Sequence, residues 1–273
     1  MKKIKSISEV FTLKNKTVVL TGSAGRLGER FAHILSAAGA NVVLVDVVKK
    51  ENNKLENELL QLYHTKPISF NVDITQKSKI VDLTKNILSK YKKIDVLINN
   101  AHFVPREHSK RDVPFEEYPL ELWDKTITVN LRGLFLCCQE IGKVMTKQNY
   151  GVIVNVSSIY GIVGADQRIY GNSRLNSPAF YSATKGAMVN LTRYLAAYWH
   201  NKNIRVNTLT LGGVYDEKLH TDKNFVKRYS EKTILGRMAN REDYDGAILF
   251  LASDASSYMT GSNLVVDGGW TAW

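Results

Sequence analysis

Thr17-Val18-Val19-Leu20-Thr21-Gly22-Ser23-Ala24-Gly25-Arg26-Leu27-Gly28 decides the fold. Its first residues, Thr17 to Leu20, are β-branched or apolar and uncharged, as a strand buried on both faces requires. From Arg26 to Ala38 the apolar residues instead recur at helical spacing. Gly22, Gly25 and Gly28 stand at the junction, where glycine allows a tight turn and close approach to the backbone. The first N–H groups of a helix lack intrahelical partners and carry partial positive charge. A helix opening on such a turn can therefore face an anion such as a pyrophosphate.

The alternation continues along the chain. Asn41 to Asp46, Ile68 to Val72, Ile94 to Ile98, Val152 to Val156, Arg205 to Leu209 and Asn263 to Val266 read as further strands. Lys54 to His64, Lys77 to Lys90, Leu122 to Gln148, Phe180 to Trp199 and Asp243 to Ser253 read as helices between them. Apolar strands separated by helices predict an α/β fold with a mostly parallel, seven-stranded, doubly wound sheet covered on both faces. No repeat, low-complexity tract or linker divides the 273 residues, so residues 1–273 are expected to form one domain.

Composition narrows the function. With 44% hydrophobic and 23% charged residues the chain can bury a large core. No apolar stretch approaches the roughly 20 residues that span a bilayer. Met1-Lys2-Lys3-Ile4-Lys5 lacks the apolar segment of a secretory signal. Cys137 and Cys138 adjoin in an apolar run and suggest buried thiols rather than a disulfide, so a cytoplasmic location is expected. The net charge of +11 and pI near 9.5 invite a nucleic-acid reading. However, the lysines are dispersed and no basic block interleaves with aromatics. Neither a nucleic-acid nor a membrane partner is expected, nor a metal; the charge suits solubility or attraction of an anionic small molecule.

Tyr181 and Lys185, four apart in a helical segment, share one face of it. A cation within about 4–6 Å of a phenol lowers its pKa by roughly 1–3 units, which would make Tyr181 a proton carrier near neutrality. Asp46 ends the second strand, where a carboxylate accepts hydrogen bonds from an adenosine ribose and repels a 2′-phosphate. NAD is therefore expected over NADP, although Lys49 and Lys50 nearby leave NADP open.

Together these features resemble the short-chain dehydrogenase/reductase family in its short-subunit branch. The resemblance rests on the Gly-rich turn, Asp73 after the third strand, Asn99-Asn100-Ala101, Asn130, Ser158, Tyr181 with Lys185, and Val266-Asp267-Gly268-Gly269-Trp270. It implies a single Rossmann domain binding NAD(P) and an oxidoreductase that moves a hydride between nicotinamide and an alcohol or carbonyl. In that scheme Ser158 holds the substrate oxygen, Tyr181 exchanges its proton, and Lys185 holds the nicotinamide ribose and lowers the tyrosine pKa. Asn130 orients a proton-relay water. Gly22, Ser23, Gly25, Arg26, Leu27 and Gly28 would cradle the pyrophosphate and Asp46 the ribose. Asp73 and Ile74 would meet the adenine edge, Asn99, Asn100 and Ala101 the ribose region, and Gly212 and Val214 the carboxamide side. The resemblance also implies a homo-oligomer, a dimer or homotetramer, paired through Leu122–Gln148 and Phe180–Trp199.

Several positions depart from the family pattern. The middle glycine falls at Gly25, with Arg26 where that glycine usually stands; His102 replaces the glycine after Asn-Asn-Ala; and Leu211-Gly212-Gly213-Val214 lacks a proline. The interval from Ser158 to Tyr181 is long and carries Tyr160, Gln167, Arg168, Tyr170, Asn172 and Arg174. Substrate loops are expected near 102–119, with Pro105, Pro114 and Pro119, and near 161–178 and 212–235. Ser158, Tyr160, Arg168 and Tyr170 are the expected substrate contacts. Aromatic faces with amide and arginine donors suit a sugar, sugar phosphate or nucleotide sugar. This combination resembles the flagellin-modification oxidoreductases linked to nonulosonic sugars. Alternatives are a sugar epimerase or dehydratase that keeps its cofactor, or a non-catalytic cofactor-binding regulator.

Overall fold

One seven-stranded sheet organises the computed structural model, which describes residues 6–104, 113–172 and 176–273. Pro105 and Arg174, with parts of two of the expected substrate loops, lie outside the described residues. The strands are β1 (Thr17–Thr21), β2 (Asn41–Asp46), β3 (Ile68–Asn71), β4 (Val96–Asn99), β5 (Gly151–Ser158), β6 (Ile204–Leu211) and β7 (Asn263–Val266). Their order is β3-β2-β1-β4-β5-β6-β7, and every pairing is parallel. The order reverses between β1 and β4, where Thr21 is in register with Asn99.

β1 is buried along its whole length, with Val18, Val19 and Leu20 fully excluded from solvent. Each such side chain contributes about 1.5–3 kcal/mol through burial. Because alternate residues face opposite sides, Val18 and Leu20 join one core cluster and Val19 the other. Helices α1 (Ile7–Phe11), α2 (Arg26–Ala37), α3 (Lys49–Leu62) and α4 (Lys77–Tyr91) precede or alternate with the early strands. The sequence reading missed α1, whose start is a Ser6/Glu9 capping box.

The long helix expected over Leu122 to Gln148 is not continuous. It divides into α5 (Leu120–Thr126), a π-helical stretch Ile127–Gly133, and α6 (Leu134–Gln148). Gly133 packs there so closely on Ile74 that a Cβ would come 2.8 Å from its side chain. Buried residues of α6 include the free thiols Cys137 and Cys138, as their apolar setting implied. α7 (Ala179–Tyr198) carries Tyr181 and Lys185, α8 (Lys223–Glu231) follows β6, and α9 (Asp245–Ala252) covers one face. No helix among the described residues is long and apolar enough to cross a membrane.

Candidate active site

The carboxyl ends of β1, β4, β5 and β6 open on a cleft of about 870 Å³ where the strand order reverses. Open α/β sheets bind ligands at this place. Gly22, Ala24, Gly25, Arg26, Leu27 and Asp46 form one end of it, with the exposed apolar pair Val47 and Val48. Gly22 takes a φ of +67°, and a Cβ there would sit 2.6 Å from Ala101 Cα, so only glycine fits. Thr21 Oγ1 accepts from Asn100 N and Ala101 N, each at 3.2 Å, which locks the turn to the end of β4. α2 starts at Gly25 without a side-chain cap, leaving its first N–H groups for a ligand. These features fit a dinucleotide pyrophosphate.

Several cofactor expectations are refined by side-chain direction. Ser23 is buried and its hydroxyl donates to Asn52 Oδ1 at 2.6 Å, so only its backbone can serve a ligand. Asn52 in turn donates to Leu44 O and Phe70 O, tying the turn to β2 and β3. Gly28 is enclosed against the Gly22 carbonyl and has a packing role. Asp46 accepts from Ala24 N and Val48 N, both at 3.0 Å, and so holds the turn to its own strand end. Asp73 accepts from Thr75 and Gln76; these bonds keep its carboxyl below the usual range against the opposing pull of burial. Asp73, Ile74 and Ala101 are not among the residues that line the cleft.

At the other end, Ser158, Tyr160, Tyr170, Tyr181 and Lys185 face one another across the cleft. Ser158 comes from the end of β5, and Tyr181 and Lys185 from the first two turns of α7. Burial pushes the Tyr181 phenol above its ordinary pKa; the nearby Ser158 hydroxyl offsets part of the rise and the Tyr170 phenol adds to it. Lys185 is 3% exposed, and burial pulls its ammonium down to about 8. Its Nζ donates to Val156 O at 2.8 Å and lies 5.7 Å from the Tyr181 ring centre. In this arrangement the net shift of Tyr181 is therefore upward, against the lowering expected from Lys185. Loss of hydration around the phenol dominates, and the ammonium is directed at a carbonyl.

Asn130 is buried beside the segment that follows β4. Its side chain accepts from Phe103 N at 2.6 Å and donates to Phe103 O at 3.0 Å. Both functional ends of the side chain are thus committed to the segment after β4, which it clamps. His102 lines the cleft with Nδ1 3.4 Å from Asn100 O. Surrounding protein and the charge of Lys185 pull its pKa downward, while the residue itself stays exposed to the open cleft.

Arg168, an expected substrate contact, points away from the cleft lining. Its guanidinium donates to Asp166 at 2.8 and 2.9 Å, its side chain is 84% exposed, and it is not on the cleft wall. Asp166 lies two residues away and captures it, with Lys232 on the same carboxylate at 2.8 Å. Gln167 is likewise occupied, bonding both ways with the Ser177 backbone. The sequence reading missed Val47, Val48, Phe103, Lys125, His220, Phe225, Tyr229 and Met238, all of which line the cleft. Phe225 and Tyr229, four apart on α8, were the available signal for a packed face. Tyr229 packs on Trp270 with ring centres 4.4 Å apart and planes tilted by 34°, and it accepts from Gly213 N. Its ring occupies the space a Cβ at residue 213 would need, while Tyr244 donates to Gly212 O at 3.1 Å. Two tyrosines thus shape the Gly212-Gly213 segment that lacks the family's proline.

Residues 22–271 match the family model described as enoyl-(acyl carrier protein) reductase. The chain is similar to post-translational flagellin modification protein A of Campylobacter coli, with 32% identity over 94% of this chain and 99% of that protein. It is 34% identical to an NAD-dependent glycerol dehydrogenase of Listeria innocua, covering 98% of each. A short-chain dehydrogenase of Leptospira borgpetersenii solved with bound NAD+ superposes with a TM-score of 0.82, at 32% identity over 99% of this chain and 98% of that one.

Proposed function

The chain belongs to the short-chain dehydrogenase/reductase family and is an NAD(P)-dependent oxidoreductase, and we propose that it acts on the alcohol or carbonyl of a sugar or polyol, preferring NAD. The observation that carries this reading is the shared cleft of Ser158, Tyr181 and Lys185, with the Ser158 hydroxyl near enough to the Tyr181 phenol to stabilise its ionised form. Bound nicotinamide supplies the hydride acceptor or donor. Tyr181 takes the proton from a substrate hydroxyl as its carbon–hydrogen bond breaks, or returns it in reduction. Ser158 donates a hydrogen bond to the same oxygen, and Lys185 passes the proton onward from the phenol. Asn130 acts at one remove, by holding the 100–104 segment against the cleft.

Asp46 supports the NAD preference, since a carboxylate at the ribose end opposes a 2′-phosphate. Glycerol, the substrate named for the Listeria relative, supports a polyhydroxylated ligand. Residues 1–273 serve as one cofactor-binding domain in this reading, with substrate loops at 102–119, 161–178 and 212–235. Exposed Tyr194 and Tyr198 on α7, stacked at 5.9 Å, and exposed Phe135 on α6 support pairing of copies through these helices as a dimer or tetramer. Buried free thiols suit a cytoplasmic setting.

Steady-state assays of wild type and Tyr181→Phe with NAD and NADP over a sugar and polyol panel test the reading. Wild type should form NADH in net amount, and the variant should lose at least ~100-fold in kcat, the scale of general acid–base catalysis. Turnover retained by Tyr181→Phe would defeat the assignment, and turnover without net NADH would favour an epimerase.

A further inference from the structure

Tyr160 carries a polar atom that the protein leaves unmet. Its phenol oxygen is buried and has no full hydrogen bond among the described residues, yet its ring lines the same cleft as Ser158 and Tyr181. The other buried side-chain atoms without partners among the described residues, on Ser36, Thr65, Asn99 and Thr126, lie off the cleft wall. The Tyr170 phenol is a marginal hydrogen-bonding neighbour that falls short of a well-formed bond, and Tyr181 and Tyr229 act on the Tyr160 phenol electrostatically, so four phenols gather at this end of the cleft.

The position of the ring is fixed from both sides. Tyr160 N donates to Ser158 Oγ at 3.3 Å, which places the ring one short turn beyond the serine. Ile159, Ile169, Met238 and Trp270 form an apolar floor against which Tyr160 packs. A buried hydroxyl in such surroundings is costly unless something hydrogen-bonds to it. No group in that cluster makes a well-formed bond to it, and the open side from which a full partner can enter is the cleft.

We propose that Tyr160 is a specificity-determining residue whose hydroxyl bonds to a second hydroxyl of the substrate, distinct from the oxygen addressed by Ser158 and Tyr181. The substrate class is then a diol, polyol or hydroxyketone, not a simple secondary alcohol. This rests on the reading of the cleft as a sugar or polyol dehydrogenase site and narrows it. It also shifts recognition from Arg168, which is held by Asp166, to neutral hydroxyl donors and acceptors.

The test compares wild type with Tyr160→Phe on butan-2-ol, butane-2,3-diol, threitol and xylitol, with NAD and with NADP. A site built to hydrogen-bond a substrate hydroxyl rejects analogues lacking it, so wild type should favour the last three over butan-2-ol. Tyr160→Phe should cut kcat/KM for those three by about tenfold or more, and change butan-2-ol by less than about twofold. Cofactor Kd should stay within about twofold, and the melting temperature should hold or rise, since the variant removes an unpaired buried group. Uniform loss across the four alcohols, or no loss on any, overturns the proposal. If wild type oxidises none of the four, the dehydrogenase reading of the cleft fails for this class and takes the proposal with it.

Discussion

Arg26, at the first position of the helix after the Gly-rich turn, pairs with Asp216 at 2.8 Å, 190 residues further along the chain. The pair joins the expected pyrophosphate site to the segment after β6. Asp216 N donates to His220 Nδ1 at 2.8 Å, and rings stack in sequence from Tyr215 through His220 and Phe225 to Tyr170. Burial opposes the charge on Asp216, but the Lys218 N–H and Arg26 hold its carboxyl below the usual range. A continuous line of contacts therefore runs from the cofactor end of the cleft to its substrate end.

Asp216→Asn tests that connection. A partly exposed ion pair contributes only about 0–1 kcal/mol to stability, so the melting temperature should move by no more than about 4 °C. Loss of the tether should instead raise KM for both dinucleotide and substrate by about fivefold, because loops that complete a site change both together. Unchanged KM values would show that the pair has no part in binding.

Lys185 gives a pH prediction. Its folded pKa is about 8 against an ordinary 10.5, a gap worth roughly 3 kcal/mol. Below pH 8 the folded state bears the full cost of a buried ammonium. Between about 8 and 10.5 the unfolded chain binds the extra proton, so stability rises with pH across that window, and above it the cost is gone. Lys185→Met should abolish turnover yet raise stability at pH 7 by about 1–3 kcal/mol, after allowing for the lost bond to Val156 O. Thermal melts from pH 7 to 10.5 should show that gain shrinking; a gain constant with pH would contradict the assignment of its cause to the ammonium.

Gly213 and Tyr229 form a coupled pair. A Cβ at residue 213 would lie 2.5 Å from the Tyr229 ring, so Gly213→Ala should cost about 1–3 kcal/mol by overpacking. Adding Tyr229→Leu should recover part of the loss, and chemical denaturation of the two single variants and the double variant measures it. Strict additivity would mean that the ring does not occupy that space.

The fold was legible because it depends on local pattern. Asn41–Asp46 and Asn263–Val266 lie where their apolar runs placed them, and the Gly-rich turn precedes α2 as its spacing implied. The break in the long helix was not, because Gly133 meets Ile74 from a distant loop. Ser158, Tyr181 and Lys185 could be named from motif and spacing, but the direction of the Tyr181 shift could not, since it depends on how much water the packed cleft excludes.

What the amino-acid order determined by itself was the parallel α/β scaffold, the dinucleotide turn and the identity of the reactive groups. Each of these follows from residues close together in the chain, where periodicity and backbone freedom act directly. Tertiary structure decided which side chains remain available: Asp166 pairs with Arg168, Phe103 occupies the Asn130 side chain, and the packing around Tyr160 leaves its hydroxyl without a well-formed hydrogen bond. Such competition for partners involves groups on separate elements, and only the folded arrangement of distances and burial resolves it.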